Sequence, residues 1–313
     1  MENLKTDGID VVYVLGTGSH WNNNEIRFSL RALEKNLKRY RNVYVVGQCP
    51  GWLKNIIHIP FTDELKENAD GNIARKVLRV CQEADLSDRF LFINDDHLIM
   101  ISTEAVGIPP YHKGDLTTRP ASYFQDSFWR GRLFRTRNTL VEKGLSTLHY
   151  DCHVPMVFDK NLFPEAIGKF DFENNIGYTM KSMYGNVVHG WNAPRLAGEK
   201  VTVFKQINTE KVLQRRVAGR QFVAFNDEGL NAVLKMWLYK TFPEQSGFEI
   251  SCNEPSIEIA RWLLASDHDF TKGTALFEAF GKSKRVKKFL KKPPTTARRE
   301  KLVHQLRELL NYI

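Results

Sequence analysis

The run Ile9-Asp10-Val11-Val12-Tyr13-Val14-Leu15 is short, rich in branched residues and ended abruptly by Gly16-Thr17-Gly18-Ser19. A brief apolar run bounded by turn residues marks a buried strand that empties into a loop. Asn22 to Asn24 follow as helix-capping candidates, and Ile26, Leu30, Leu33 and Leu37 recur at helical spacing through about Tyr40. Further strands are expected at 43–47 and 56–59, with a helix over 72–84 whose inner face carries Ile73, Val77 and Val80. The next strand, Phe90 to Ile93, runs straight into Asn94-Asp95-Asp96-His97. Strand, helix, strand, strand, helix, strand is the rhythm of an α/β fold, Rossmann-like, with a mostly parallel sheet flanked by helices. Ligands of such sheets bind beyond the carboxyl ends of the strands, where 16–19 and 94–97 both fall.

The second half is less regular. Residues 104–150 read as loop-rich and basic, strands are expected at 154–158, 187–189 and 201–204, and a helix over 229–242 stops at Pro243. Between Lys282 and Lys301 there are ten Lys or Arg residues and a single acid, Glu300, interrupted by Pro293-Pro294. The expected organisation is therefore a domain over 1–252, in two halves at about 9–100 and 101–252, and a basic helical appendage at about 253–313.

A chain of 313 residues with 42% hydrophobic and 26% charged residues can bury a full core without metals or disulfides, which excludes wholesale disorder. The four cysteines, Cys49, Cys81, Cys152 and Cys252, have no metal-site spacing and read as reduced thiols. No signal peptide and no membrane-spanning run is visible, so the expected location is the cytoplasm or the periphery of its inner membrane face. The net charge of +9 favours anionic company: nucleic acid, acidic headgroups or a phosphorylated small molecule.

Two adjacent carboxylates closing an apolar strand are costly to hold unless a cation neutralises them. A divalent ion (Mn2+ or Mg2+) bridging Asp95, Asp96 and a nucleotide diphosphate would do so, and would stabilise the departing diphosphate. The bland account is an Asx turn. Gly16, Thr17, Gly18 and Ser19 match neither a dinucleotide fingerprint nor a P-loop; they offer a backbone that phosphate can approach closely, or a plain turn. Arg27 and Arg31 lie one helical turn apart and either clamp phosphates or pair with Glu25 and Glu34.

Asn72-Ile73-Ala74-Arg75-Lys76 on a helix, then Phe90–Ile93 and the acidic pair, resembles the nucleotide-sugar half of GT-A glycosyltransferases. Within that group, Ile9–Tyr13, Asn24–Lys35, Val43–Leu53, Phe90–His97 and His153-Val154-Pro155 resemble the Stealth-type sugar and sugar-phosphate transferases of polysaccharide synthesis, over about residues 9–160. The chain departs from them at Leu15–Ser19, where an acidic tetrad is usual, at Asn94, and in lacking the late Arg-bearing block linked with sugar-phosphate transfer. The resemblance implies a GT-A-like fold and a nucleotide-sugar donor, uridine diphosphate being the expected carrier. It further implies donor contacts from 16–19, Arg27, Arg31, Asn72, Arg75, Asn94 and Asp95, and a catalytic role for Asp96.

A base for the acceptor hydroxyl is expected from Asp151 or His153. His189 is a candidate third metal ligand, and Trp191 could stack on a sugar or base. Arg130, Arg132, Lys284, Arg285, Lys287 and Lys288 are candidate acceptor contacts. The acceptor stays open between a glycan, a lipid-linked glycan on an anionic membrane, and DNA bearing a hydroxymethylated base that must be flipped from the stack. Sugar-phosphate transfer and a non-catalytic nucleic-acid-binding protein are the rival functions.

Overall fold

The computed structural model describes residues 8–250 apart from Asp126 and Asn175, so Lys284, Arg285, Lys287, Lys288 and the expected appendage lie outside the described residues. The chain runs β1 (Ile9–Leu15), α1 (Asn24–Asn36), β2 (Leu37–Lys38), β3 (Tyr40–Gly47), β4 (Ile57–Ile59), α2 (Ala69–Cys81) and β5 (Arg89–Ile93). It continues through β6 (His97–Ile99), β7 (Thr103–Glu104), α3 (Phe128–Glu142), β8 (Met156–Asp159), α4 (Leu162–Ile167) and α5 (Met180–Val188). The last described elements are β9 (Lys200–Val203), α6 (Glu210–Val217), β10 (Phe222–Phe225) and α7 (Ala232–Thr241).

The central sheet has the order β4-β3-β1-β5-β8, with all neighbours parallel except the β5–β8 pair. This is the expected mixed α/β fold with a mostly parallel sheet flanked by helices. Because strand side chains alternate, β1 presents Val12 and Val14 to one core, with Phe90, Phe92 and the Ala74, Val77 and Val80 face of α2. It presents Val11, Tyr13 and Leu15 to another, with Leu91, Ile93 and the Ile26, Leu30 and Leu33 face of α1. The chain moves outward from β1 to β3 to β4, then returns through α2 to β5 on the other side of β1. That reversal leaves a crevice between the carboxyl ends of β1 and β5.

A second sheet, β6-β10-β9, packs with α6, α7 and the Phe28 and Ala32 side of α1. β8 comes from the second half and closes the central sheet, so the two halves share one sheet. Residues 248–250 return to the first half, where the Lys54 and Ile250 amides bond the Phe248 and Trp52 carbonyls at 2.9 and 2.8 Å.

Two expectations of local structure are corrected. Residues 187–189 are the end of α5, not a strand; Gly185 lets that helix lie against the Tyr150 ring, which an added Cβ would meet at 2.4 Å. The stretch expected to be mixed and loop-rich contains α3, whose buried side is only Arg132, Leu133, Thr136 and Leu140, too thin a stripe among arginines and aromatics to show as periodicity. Among the described residues no helix is long and apolar enough to cross a membrane.

Candidate active site

β1 and β5 pair side by side with Tyr13 opposite Ile93, so their loops, Gly16–Ser19 and Asn94–Asp96, open together. Ser19 organises the first: its hydroxyl donates to Glu25 Oε2 at 2.8 Å and accepts the Trp21 and Asn23 amides at 3.1 and 2.8 Å. Asn22 and Asn23 take left-handed backbone there, as asparagine tolerates. Gly16 backs onto the ion pair of Lys76 Nζ and Asp63 Oδ1 at 2.6 Å, so a Cβ would press on Asp63 at 3.2 Å.

Around these loops lies a cavity of about 640 Å³. Gly16, Thr17, Gly18, Ser19, Asn72, Asn94, Asp95 and Asp96 all line it, as do Glu25, Asp63, Lys76, Asn226 and Asp227. Asn72 shapes a wall rather than facing a ligand with free groups. Its amide donates to the Leu65 carbonyl at 2.8 Å and accepts the Leu65 amide at 3.1 Å, latching the 63–67 loop onto α2.

The electrostatics of the cavity are unbalanced. Burial, then the Glu25 charge, push the Asp95 carboxyl up to about 7. Burial and then Asp95 hold Asp96 well above the usual carboxylate range, and burial raises Glu25. Asp96 Oδ1 is buried and has no hydrogen-bond partner among the described residues. Of the lysines lining the cavity, Lys76 is already neutralised by Asp63. Four acidic groups, Glu25, Asp95, Asp96 and Asp227, thus share one space in which Lys66 is the other lining lysine and His20 lies 3.9 Å from Asp227. Among the described residues no three His, Cys, Asp or Glu side chains form a ready metal cage. Oxygen donors of this kind suit a hard divalent ion that completes its sphere with phosphates and water.

A smaller cavity of about 70 Å³ shares Asn94 and Ile73 with the first and is lined by Asp70, Trp129, Asp151, His153 and Lys181 among others. The sequence-predicted Asp151 and His153 therefore line this second cavity, which shares Asn94 with the first. Asp151 accepts the Lys181 and Ser182 amides at 3.3 and 3.0 Å, at the start of α5. His153 adopts left-handed backbone at φ 53°, and burial followed by Lys200 and Lys113 holds it well below the ordinary histidine range.

Other predicted residues go elsewhere. Arg27 and Arg31 do not reach the cavity: both are buried and paired with Glu249 at 2.7 Å, and Arg27 stacks on Trp52 at 3.8 Å. Arg75 pairs with Glu64 at 2.6 Å and Glu173 at 3.4 Å, outside the cavity lining. His189 sits near Arg89 and Asp159, at the opposite end of β5 from the acidic pair, and so cannot share an ion with it. Arg132 clamps α3 to Asp70 at 3.0 Å and to the Ile176 carbonyl, while Arg130 covers Tyr123 at 4.5 Å. Trp191 is 60% exposed and lines none of these cavities.

Asp227, Asn226 and Glu25 are the residues that sequence reasoning missed. A signal existed: Phe222-Val-Ala-Phe-Asn226-Asp227 repeats the form of Phe90-Leu-Phe-Ile-Asn94-Asp95, an apolar strand emptied into Asn-Asp. The Phe225 amide bonds the Asp96 carbonyl at 3.3 Å, so the two strand ends meet.

No protein-family description matches the chain, and no curated protein matches it. Among solved structures it is similar to mouse xyloside xylosyltransferase 1 in its apo form, at 8% identity and a TM-score of 0.36 over 71% of this chain and 98% of that one. It is also similar to an active-site mutant of LgtC, at 11% identity and a TM-score of 0.44 over 76% of this chain and 98% of that one.

Proposed function

We propose that this chain is a GT-A-type glycosyltransferase that moves a sugar from a nucleotide-sugar donor to an acceptor hydroxyl. One observation carries the reading: a glycine loop and an under-neutralised carboxylate pair converge on one cavity at the switch point of a parallel sheet. An acidic cavity repels a diphosphate unless a cation accompanies it. Asp95 and Asp96, with Glu25 and Asp227 alongside, would hold a divalent ion, which supplies charge neutralisation for the diphosphate as it leaves.

The protein's own groups take the other tasks. Gly16–Ser19 admit the nucleotide close to the backbone, and the Asn72 latch keeps the 63–67 wall in place. Transfer forms a bond from the acceptor oxygen to the anomeric carbon and breaks the bond from that carbon to the diphosphate. The acceptor proton passes to Asp151 or His153, both of which line the smaller cavity. Release of the nucleoside diphosphate distinguishes this reaction from sugar-phosphate transfer, which releases the monophosphate.

The test is a thermal-shift screen of nucleotide sugars with and without Mn2+, repeated on Asp96→Ala. A ligand bound only by the folded chain raises its Tm by mass action. A Mn2+-dependent shift in the wild type that Asp96→Ala abolishes is the expected result. The absence of any shift would overturn the reading in favour of a non-catalytic binding protein.

A further inference from the structure

Beside the acidic cavity, lysines gather around the loop behind the smaller one, which Asp70 and Asp151 line together with Lys181. Three ammonium groups converge on the loop that carries His153. Lys113 Nζ donates to the Asp151 carbonyl at 3.3 Å, Lys181 Nζ to the Val154 carbonyl at 2.7 Å, and Lys200 Nζ to the Cys152 carbonyl. None of the three is in an ion pair with a carboxylate among the described residues. Lys181 is 5% exposed and lines the smaller cavity.

Imidazoles complete the cluster. His153 lies between His97 and Trp129, with ring centroids at 6.1 and 6.3 Å, and Trp129 reaches His149 at 5.9 Å. His97 and His149 are 1% and 2% exposed, yet both nitrogens of each lack a hydrogen-bond partner among the described residues. Buried polar groups are nearly always satisfied; His97 Nε2 has Asp96 Oδ1 at 3.5 Å, so it is the two His149 nitrogens, beside three ammonium groups with no carboxylate in ion-pair reach, that indicate a missing partner. That partner must accept hydrogen bonds and carry negative charge.

The geometry points to an anion subsite on the acceptor side, formed by Lys113, Lys181, Lys200, His149 and His153, that takes a phosphate monoester carried by the acceptor. This rests on the glycosyltransferase reading and adds the acceptor's chemical class. A dianionic monoester matches three converging cations better than a phosphodiester, whose single charge would leave most of the repulsion in place. Burial supports this: with the Lys113 charge it pulls Lys200 down to about 7, and against the opposing attraction of Asp151 and Asp96 it pulls Lys181 to about 8, so each ammonium is held at a penalty that an anion would relieve. Trp129, at the cavity wall, offers a face on which the acceptor's ring can stack.

The test titrates inorganic phosphate, methyl phosphate and dimethyl phosphate into the full chain by calorimetry, in the presence of saturating Mn2+ and UDP. The same titrations are run on Lys200→Met, on Lys113→Met and on Asp95→Asn without nucleotide. Expected is binding of inorganic and methyl phosphate, weakened about tenfold or more by either lysine substitution, with dimethyl phosphate much weaker. Asp95→Asn should lose Mn2+-dependent nucleotide binding but keep phosphate. Each lysine variant should keep nucleotide binding, which also shows that it folds. Phosphate that fails to bind, or that is displaced by UDP and Mn2+, would overturn the inference, and the latter would assign the lysines to the donor. Dimethyl phosphate binding as tightly as methyl phosphate would turn the subsite toward a nucleic-acid chain and refute the monoester. If UDP itself does not bind, the donor reading fails, while phosphate binding lost in Lys200→Met would still establish the anion site.

Discussion

Glu249→Gln separates a structural role for Arg27 and Arg31 from a role in phosphate binding. Glu249 accepts from Arg27 Nη1 at 2.7 Å and from Arg31 Nε and Nη2 at 2.7 and 2.8 Å, and the side chains of both arginines are at most 2% exposed. Its other hydrogen bonds, from the Ser246 amide and hydroxyl, tie the 246–249 turn to α1. Substituting the amide leaves two buried guanidinium groups without their shared counter-charge. Removing one partner of a buried pair costs about 3–5 kcal/mol. At about 2–4 °C per kcal/mol for a chain of this size, the midpoint should fall by roughly 6–20 °C. Burial alone would raise the Glu249 carboxyl, but the Arg31 hydrogen bonds and charge outweigh it and hold it below its ordinary value. A depressed acid stabilises above its unfolded value, so this contribution should vanish as pH falls through the carboxylate range. Replacing the whole triad by Arg27→Met, Arg31→Met and Glu249→Leu should restore much of the loss, since no charge is then stranded. Thermal and urea denaturation read the effect. A midpoint shift below about 2 °C with weakened donor binding would refute the structural role and return both arginines to the ligand.

Two further outcomes follow from the acidic cavity. Asp95 sits at about 7 in the folded chain against 3.8 ordinarily, so its ionisation removes stability as pH climbs between those values. Asp95→Asn should therefore gain on the wild type with rising pH, most of all above about 7, and Mn2+ should shrink the gap; a difference that is flat in pH would refute the cluster's strain. Asn72→Ala unlatches the 63–67 wall, losing about 1–2 kcal/mol of stability and raising the donor KM more than it lowers kcat. An unchanged KM would show that the wall does not frame the donor.

The central sheet was legible because its strands are short apolar runs emptied into glycine or acid, and because α1 and α2 keep their apolar residues on one face. Gly16–Ser19 and Asn94–Asp96 could be placed together because the carboxyl ends of parallel strands meet on one edge of the sheet, whereas Asn72, on α2, was reached only through the family resemblance. The arginines of α1 could not be placed. Helical spacing shows that Arg27 and Arg31 share a face, but their partner is 218 or more positions away at Glu249, and no local pattern reveals it. His189 misled for a related reason: it follows a valine pair that looks like a strand, whereas α5 carries it to the far end of the sheet.

Charge compensation locates the site more sharply than residue identity does. Asp10 is as buried as any residue in β1, yet its oxygens accept the Asn42 and Ser87 amides at 3.0 and 2.8 Å and Arg41 approaches at 3.4 Å. It is a staple at the amino end of the sheet with nothing left to bind. Asp96, at the carboxyl end, retains a buried oxygen that accepts no hydrogen bond among the described residues, with His97 Nε2 at 3.5 Å and the charges of Asp95 and Glu25 raising its carboxyl. The lysines around His153 show the same deficit with the opposite sign, and Asn94 faces both compartments. Two clusters of opposite charge, only partly compensated by the attraction between Asp96 and Lys181, are costly for a fold to hold on either side of one asparagine. The proposed reaction, which would bring a cation with a diphosphate to one side and an anionic acceptor to the other, gives that cost a use.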